Sequence, residues 1–166
     1  VERVNAKLTR VFSDCDRLRP AGSSYKLPPA GKLARARFTV LIGSALGVER
    51  AGVERLAVCA ELVHTASLLH DDCIDNSSLR RGRPTANLKL GLPRAILLGD
   101  IMVSRAFDSL RSIPEKIIFE LFRAVHRMCE GAIQEENSRY RLRSPRAYLD
   151  IVSMKTASLF AWCAAS

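Results

Sequence analysis

The chain has 166 residues, with 26 Lys+Arg against 17 Asp+Glu, a net charge of +9 and 48% hydrophobic residues; this is globular composition, not disorder, and suits a single domain over residues 1–166. Its longest stretches without a charged side chain, 38–48 and 156–166, are eleven residues each, about half of what a membrane-spanning helix needs, and the opening VERVNAKLTR lacks the apolar core of a secretory signal. The five cysteines (Cys15, Cys59, Cys73, Cys129 and Cys163) are odd in number and contain no Cys-x-x-Cys pair, so a disulfide framework or zinc knuckle is not expected and a reducing cytoplasm is.

Seven prolines mark the joints between helical patterns: Pro20, Pro28, Pro29, Pro84, Pro93, Pro114 and Pro145. Residues 2–19 read as a charged first helix with Val4, Leu8, Val11, Phe12 and Leu18 roughly on one side. Residues 20–31 are a loop by composition. Residues 32–47, almost without polar side chains after Arg37, predict a helix buried most of the way round. Residues 52–75 predict a long helix, with Leu56, Cys59, Ala60, Val63, Ala66, Ser67 and Leu69 at helical spacing. A polar, basic loop is expected over 76–93, then helices near 94–111, 115–137 and 146–164. Pro114 and Pro145 stand where a helix start tolerates proline. No useful strand alternation appears, so the fold class is all-α, helix packed on helix.

The informative stretch is LLHDDCIDNSSLRRGRPT, residues 68–85. Asp71 and Asp75 share a helix face about 6 Å apart, and Asp72 lies about 100° around, at the edge of that face. Three carboxylates crowd a helix C-terminus, where negative charge is already unfavourable. Two local rules are broken together, as happens at functional sites. A hard divalent cation such as Mg²⁺ would compensate, bridging carboxylates to a substrate phosphate. Arg80, Arg81 and Arg83 follow, and guanidinium groups grip phosphate oxygens in a bidentate fork. The bland alternative is a solvated acidic helix end paired with Arg80 and Arg81.

This stretch resembles the first aspartate-rich motif of the trans-isoprenyl diphosphate synthases (polyprenyl synthetases), most similar to the long-chain polyprenyl type: Asp-Asp-x-x-Asp, then Arg-Arg-Gly after a short loop. Gly31-Lys32-x-x-Arg35 resembles the upstream Gly-Lys-x-x-Arg-Pro element, and His64 lies in the similar string LVHTASLLHDD. Leu98-Gly99-Asp100, Ala106-Phe107 and Lys155-Thr156-Ala157-Ser158-Leu159-Phe160 extend the resemblance over about residues 30–162.

The resemblance implies an antiparallel helical bundle of the isoprenoid-synthase type and Mg²⁺-dependent condensation of an allylic diphosphate with isopentenyl diphosphate. Asp71, Asp72 and Asp75 would hold the metal. Arg80 and Lys155, with Thr156 beside them, would contact the allylic diphosphate. Lys32, Arg35, His64 and Arg81 would bind isopentenyl diphosphate. Ala66 and Ser67, one turn before Asp71, would leave the product channel open for long chains. A homodimer or heteromer is expected. Alone, His64 reads as a core histidine, Lys155 as a surface lysine, and Lys32 and Arg35 as solvated; His70 reads as packing or as support behind the site, and His126 and the cysteines as structural.

The chain departs from the family in having no second aspartate-rich motif, since Asp100, Asp108 and Asp150 stand alone. Leu33 and Ala36 replace the second basic residue and the proline of the upstream element, and Glu135 stands where long-chain members usually carry glutamine. The start at Val1 and the end at AWCAAS favour an incomplete part of an ordinary synthase. One component of a heteromeric synthase is the second reading and a degenerate regulatory relative the third; the carboxylates, Arg80, Arg81 and Lys155 argue against the last. RRGR and RYRLR (Arg139 to Arg143) raise nucleic-acid binding, but aromatic residues make up only 6% of the chain and no nucleic-acid motif appears.

Overall fold

The structure, a computed structural model, describes residues 1–27 and 31–166. The prolines at 28 and 29, expected in the first loop, lie outside the described residues. Among the described residues the fold is all-α apart from one tiny hairpin. Backbone contacts divide the chain into two compact units, Val1–Arg111 and Ser112–Ser166.

The first unit contains α1 (Glu2–Asp16), α2 (Ala34–Ala45), α3 (Arg50–Ile74), α4 (Ala86–Leu90) and α5 (Leu92–Ser109). Helix α1 buries Val4, Leu8, Phe12 and Cys15 at spacings of four, four and three, a stripe along one side. Leu18, expected on that stripe, lies beyond the helix end and is exposed. The central element is α3, which packs against α1, α2, α4 and α5. Its segment 56–63 is buried continuously.

Here the structure reverses an expectation. The helix buried nearly all round is α3, not α2. Helix α2 buries only Ala36, Thr39 and Gly43, and Leu41 is 70% exposed. Apolar composition predicted burial most of the way round, whereas a small-residue face decided which side of α2 met α3. At Gly43 a Cβ would lie 2.5 Å from Val53 Cγ2, so the close approach requires glycine.

The segment 76–93, expected as a loop, is ordered. It carries β1 (Leu79–Arg80), β2 (Arg83–Pro84), α4 and the start of α5. The strands pair antiparallel, Leu79 with Pro84 and Arg80 with Arg83. Between them Arg81 and Gly82 have φ of 52° and 74°, the two positive values that a tight I′ hairpin turn requires.

The second unit contains α6 (Glu115–Asn137), α7 (Pro145–Val152), a π-helical turn over Ser153–Ala157, and α8 (Ser158–Ala165). Helix α6 matches its expected range. The predicted helix over 146–164 is broken by the π turn. Helix α6 packs on α7, the π turn and α8, and the Trp162 indole on α8 donates to the Ile117 carbonyl at 3.0 Å. Among the described residues no helix is long and apolar enough to cross a membrane.

Candidate functional site

Helix α3 ends in a built stop. Asn76 adopts φ 48°, its N–H donates to the Cys73 carbonyl at 3.3 Å, and the Ser77 N–H donates to Asp72 O at 3.0 Å. This is a Schellman closure, with asparagine in the left-handed position. The hairpin is then pinned beneath it. Thr85 Oγ1 and Asn87 Nδ2 both donate to the Ser77 carbonyl, at 2.7 and 3.0 Å.

This folding returns Arg80 to α3. Its Nε donates to both Asp72 oxygens, at 2.8 and 3.0 Å. The two aspartate readings of the sequence therefore meet in one motif. Asp72, at the edge of the face, is buried and engaged by Arg80; Asp71 is half-buried and Asp75 is exposed at the helix end. Tyr25 packs nearby as part of the core, and burial, then the charges of Asp72 and Asp16, push its hydroxyl up to about 12.

Among the described residues, no group of three or more His, Cys, Asp or Glu side chains is arranged to hold a metal ion. The donor chemistry nonetheless fits a hard divalent cation. Asp71 and Asp75 carry carboxylate oxygens one helical turn apart, and both Asp72 oxygens accept from the Arg80 guanidinium.

A cationic cluster stands one to two turns back along α3. His64 is half-buried, and burial pushes its pKa down to about 4, helped by the charges of Arg35, Arg81 and Arg80. The structure thus brings together four of the residues singled out in the sequence. Arg81 also lies against Gly31, where a Cβ would meet its Nη1 at 2.6 Å. Lys32 is exposed beside Gly31. Ala66 is buried, and Ser67 is half-buried with its hydroxyl donating to the His64 carbonyl at 2.9 Å. His70 packs toward α5, its Nε2 3.1 Å from Ile96 O and 3.4 Å from Asp100 Oδ1.

Sequence reasoning missed Glu61. It is buried on α3 and accepts a hydrogen bond from the Ala36 N–H at 3.0 Å. Helix α2 has no side-chain cap of its own, and Leu33 precedes it at φ 52°. Glu61 therefore serves as a cap from another helix, holding the turn that carries Arg35. Only the oddity of a glutamate among apolar α3 neighbours could have signalled it.

Lys155 and Thr156 belong to the second unit. The π turn places the Lys155 ammonium 2.6 Å from Glu135 Oε2 on α6; Thr156 is exposed. A π turn inserts one residue into a helix and often marks a functional position.

His64 gives a direct pH prediction. In the folded chain it stays neutral down to about pH 4, whereas unfolded it takes up a proton near 6.5. The unfolded state binds more protons between those values. Stability is therefore full above about 6.5 and falls as pH drops toward 4. Urea midpoints at pH 7 and pH 5 should differ more for the parent chain than for His64→Gln. Equal pH dependence in the two would refute the assignment.

The profile of the family described as polyprenyl synthetase matches residues 20–166. The chain is 34% identical to the octaprenyl diphosphate synthase of Escherichia coli over 160 residues, covering 95% of this chain and 49% of that one. It is 34% identical to heptaprenyl diphosphate synthase component 2 of Geobacillus stearothermophilus, covering 82% of this chain and 43% of the relative. A crystal structure of a polyprenyl synthase from Caulobacter crescentus, complexed with calcium and isoprenyl diphosphate, superposes with a TM-score of 0.83 at 32% identity, over 98% of this chain and 52% of that one. The chain spans about half the length of the curated relatives it matches. With its all-α fold of the isoprenoid-synthase type and a family match over nearly its whole length, the chain belongs to the polyprenyl synthetase family.

Proposed function

We propose that this chain carries diphosphate-binding machinery of a Mg²⁺-dependent trans-prenyltransferase, which condenses an allylic diphosphate with isopentenyl diphosphate to give a polyprenyl diphosphate. The observation that supports this best is the convergence of Arg35, Arg80 and Arg81 on a neutral His64, close to the carboxylates of α3. Such a cluster is costly until an anion enters it.

In this reading Lys32, Arg35, His64 and Arg81 bind isopentenyl diphosphate. Neutral His64 donates one hydrogen bond, and the arginines supply charge and bidentate geometry. Arg80 contacts the allylic diphosphate, and Lys155 and Thr156 are the diphosphate-binding residues of the second unit. Asp71 and Asp75 hold the cation, with Asp72 orienting Arg80. Bound there, Mg²⁺ would neutralise charge that develops on the departing diphosphate. The cationic side chains stabilise the same charge and hold both substrates in register. The allylic carbon–oxygen bond breaks to leave an allylic carbocation, the isopentenyl double bond attacks it to form the new carbon–carbon bond, and a proton passes from the product cation to the released diphosphate. Ala66 and Ser67 are small where the growing chain would pass, which favours long products. A cytoplasmic homodimer fits this reading.

The test is calorimetric titration of farnesyl diphosphate into the folded chain with and without Mg²⁺. Heat that requires Mg²⁺ and falls at least tenfold in affinity in Asp71→Asn is expected, a loss of about 1.4 kcal/mol. Titration without heat into a chain shown to be helical would refute the site. A second reading, a component of a heteromeric synthase, is favoured by the similarity to the relative described as component 2. Under it, the purified chain binds but forms no product until a second chain is added.

A further inference from the structure

The connection between α6 and α7 is a constructed loop. Arg143 Nη2 donates to the Glu135 carbonyl at 2.7 Å, the Ser138 hydroxyl donates to Gln134 O, and the Arg141 N–H donates to Ser138 O at 3.1 Å. These bonds satisfy the last carbonyls of α6. Ser144 then caps α7, accepting from the Ala147 N–H at 3.2 Å.

This tied loop holds apolar groups in water. Tyr140 has φ 65°, a strained conformation for a bulky residue, and is 98% exposed; Leu142 is 106% exposed, the full value of an isolated residue. Tyr148 and Leu149 on α7 are also exposed. Four arginines interleave with them: Arg139, Arg141, Arg143 and Arg146. No acidic residue occurs between positions 139 and 149. Arg139 pairs with Glu136 at 3.0 Å, and among the described residues Arg141 and Arg146 have no ion pair.

We propose that the 139–149 segment docks peripherally on a lipid bilayer bearing anionic headgroups. Arg141 and Arg146 meet phosphate oxygens, Tyr140 sits at headgroup depth, and Leu142 enters the acyl boundary. Charge complementarity alone would also suit a nucleic acid. The fully exposed leucine decides between them, because an aliphatic side chain between arginines gains nothing from a phosphate backbone and gains burial from a bilayer.

The experiment is flotation of the full chain with vesicles of phosphatidylcholine, alone or mixed with phosphatidylglycerol. Binding to the anionic vesicles only, weakening with salt, is expected. Arg141→Gln/Arg146→Gln should lower the affinity about fivefold per charge removed. Leu142→Ser, which changes no charge, should lower it too. All three positions are exposed, so urea midpoints should match the parent chain. Absence of vesicle binding overturns the proposal, as does equal binding to neutral vesicles. Retention on a single-stranded RNA that Leu142→Ser leaves unchanged, with vesicle binding equally insensitive, would assign the surface to nucleic acid instead.

Discussion

Replacing Arg80 by methionine should destabilise the chain by about 3 kcal/mol, seen as a lower urea midpoint at unchanged slope. The pair it breaks is asymmetric: the Asp72 side chain is 7% exposed and that of Arg80 33%. Without Arg80 a buried carboxylate loses its charged donor, at a helix C-terminus whose partial negative charge opposes it further. Without Asp72 the guanidinium remains partly solvated, so Asp72→Asn should cost only about 1 kcal/mol. The double variant Asp72→Asn/Arg80→Met should recover part of the loss, because a neutral amide is cheaper to bury unpaired than a carboxylate. Equal costs for the two single variants would contradict this asymmetry.

Gly131→Leu should be at least as damaging, about 3 kcal/mol or more. Gly131 is buried on α6 facing the π turn, and a Cβ there would lie 2.9 Å from the Lys155 backbone nitrogen and 2.9 Å from Met154 Cβ. Backbone yields far less than a side-chain tip. Even Gly131→Ala sets a helix-propensity gain of about 1 kcal/mol against that crowding. The larger residue must push the π turn away and pull Lys155 from Glu135. Thermal melts of the purified variant read the cost. A melting temperature equal to the parent's would mean that the approach is looser than the geometry states.

The order of helices was legible because prolines and apolar periodicity are local signals. Helix α6 runs from just after Pro114 to Asn137, as its pattern predicts. The burial of α2 was not legible, since composition does not say which neighbour arrives. The hairpin escaped because two-residue strands show no alternation; its signal was Gly82 after Arg81, easily read as loop. The π turn escaped because one inserted residue leaves Ile151, Leu159 and Trp162 close to helical spacing. At the candidate site, residue identities were legible from the motif, while the partners were not. Asp72 with Arg80 appeared only as the bland alternative, and Glu61 bonding Ala36 lies twenty-five positions away in sequence.

The cationic cluster also has a temporal meaning. Gly31, Arg35, His64, Arg80 and Arg81 all belong to the first unit, and all are synthesised before α6. Domains generally fold as units in order of synthesis. A nascent chain that has docked α2 on α3 and closed the 79–84 hairpin therefore already assembles the cationic cluster proposed above to bind diphosphate. Under that proposal, a diphosphate or phosphate bound there favours the folded form by mass action, and ligand binding aids folding before any catalysis.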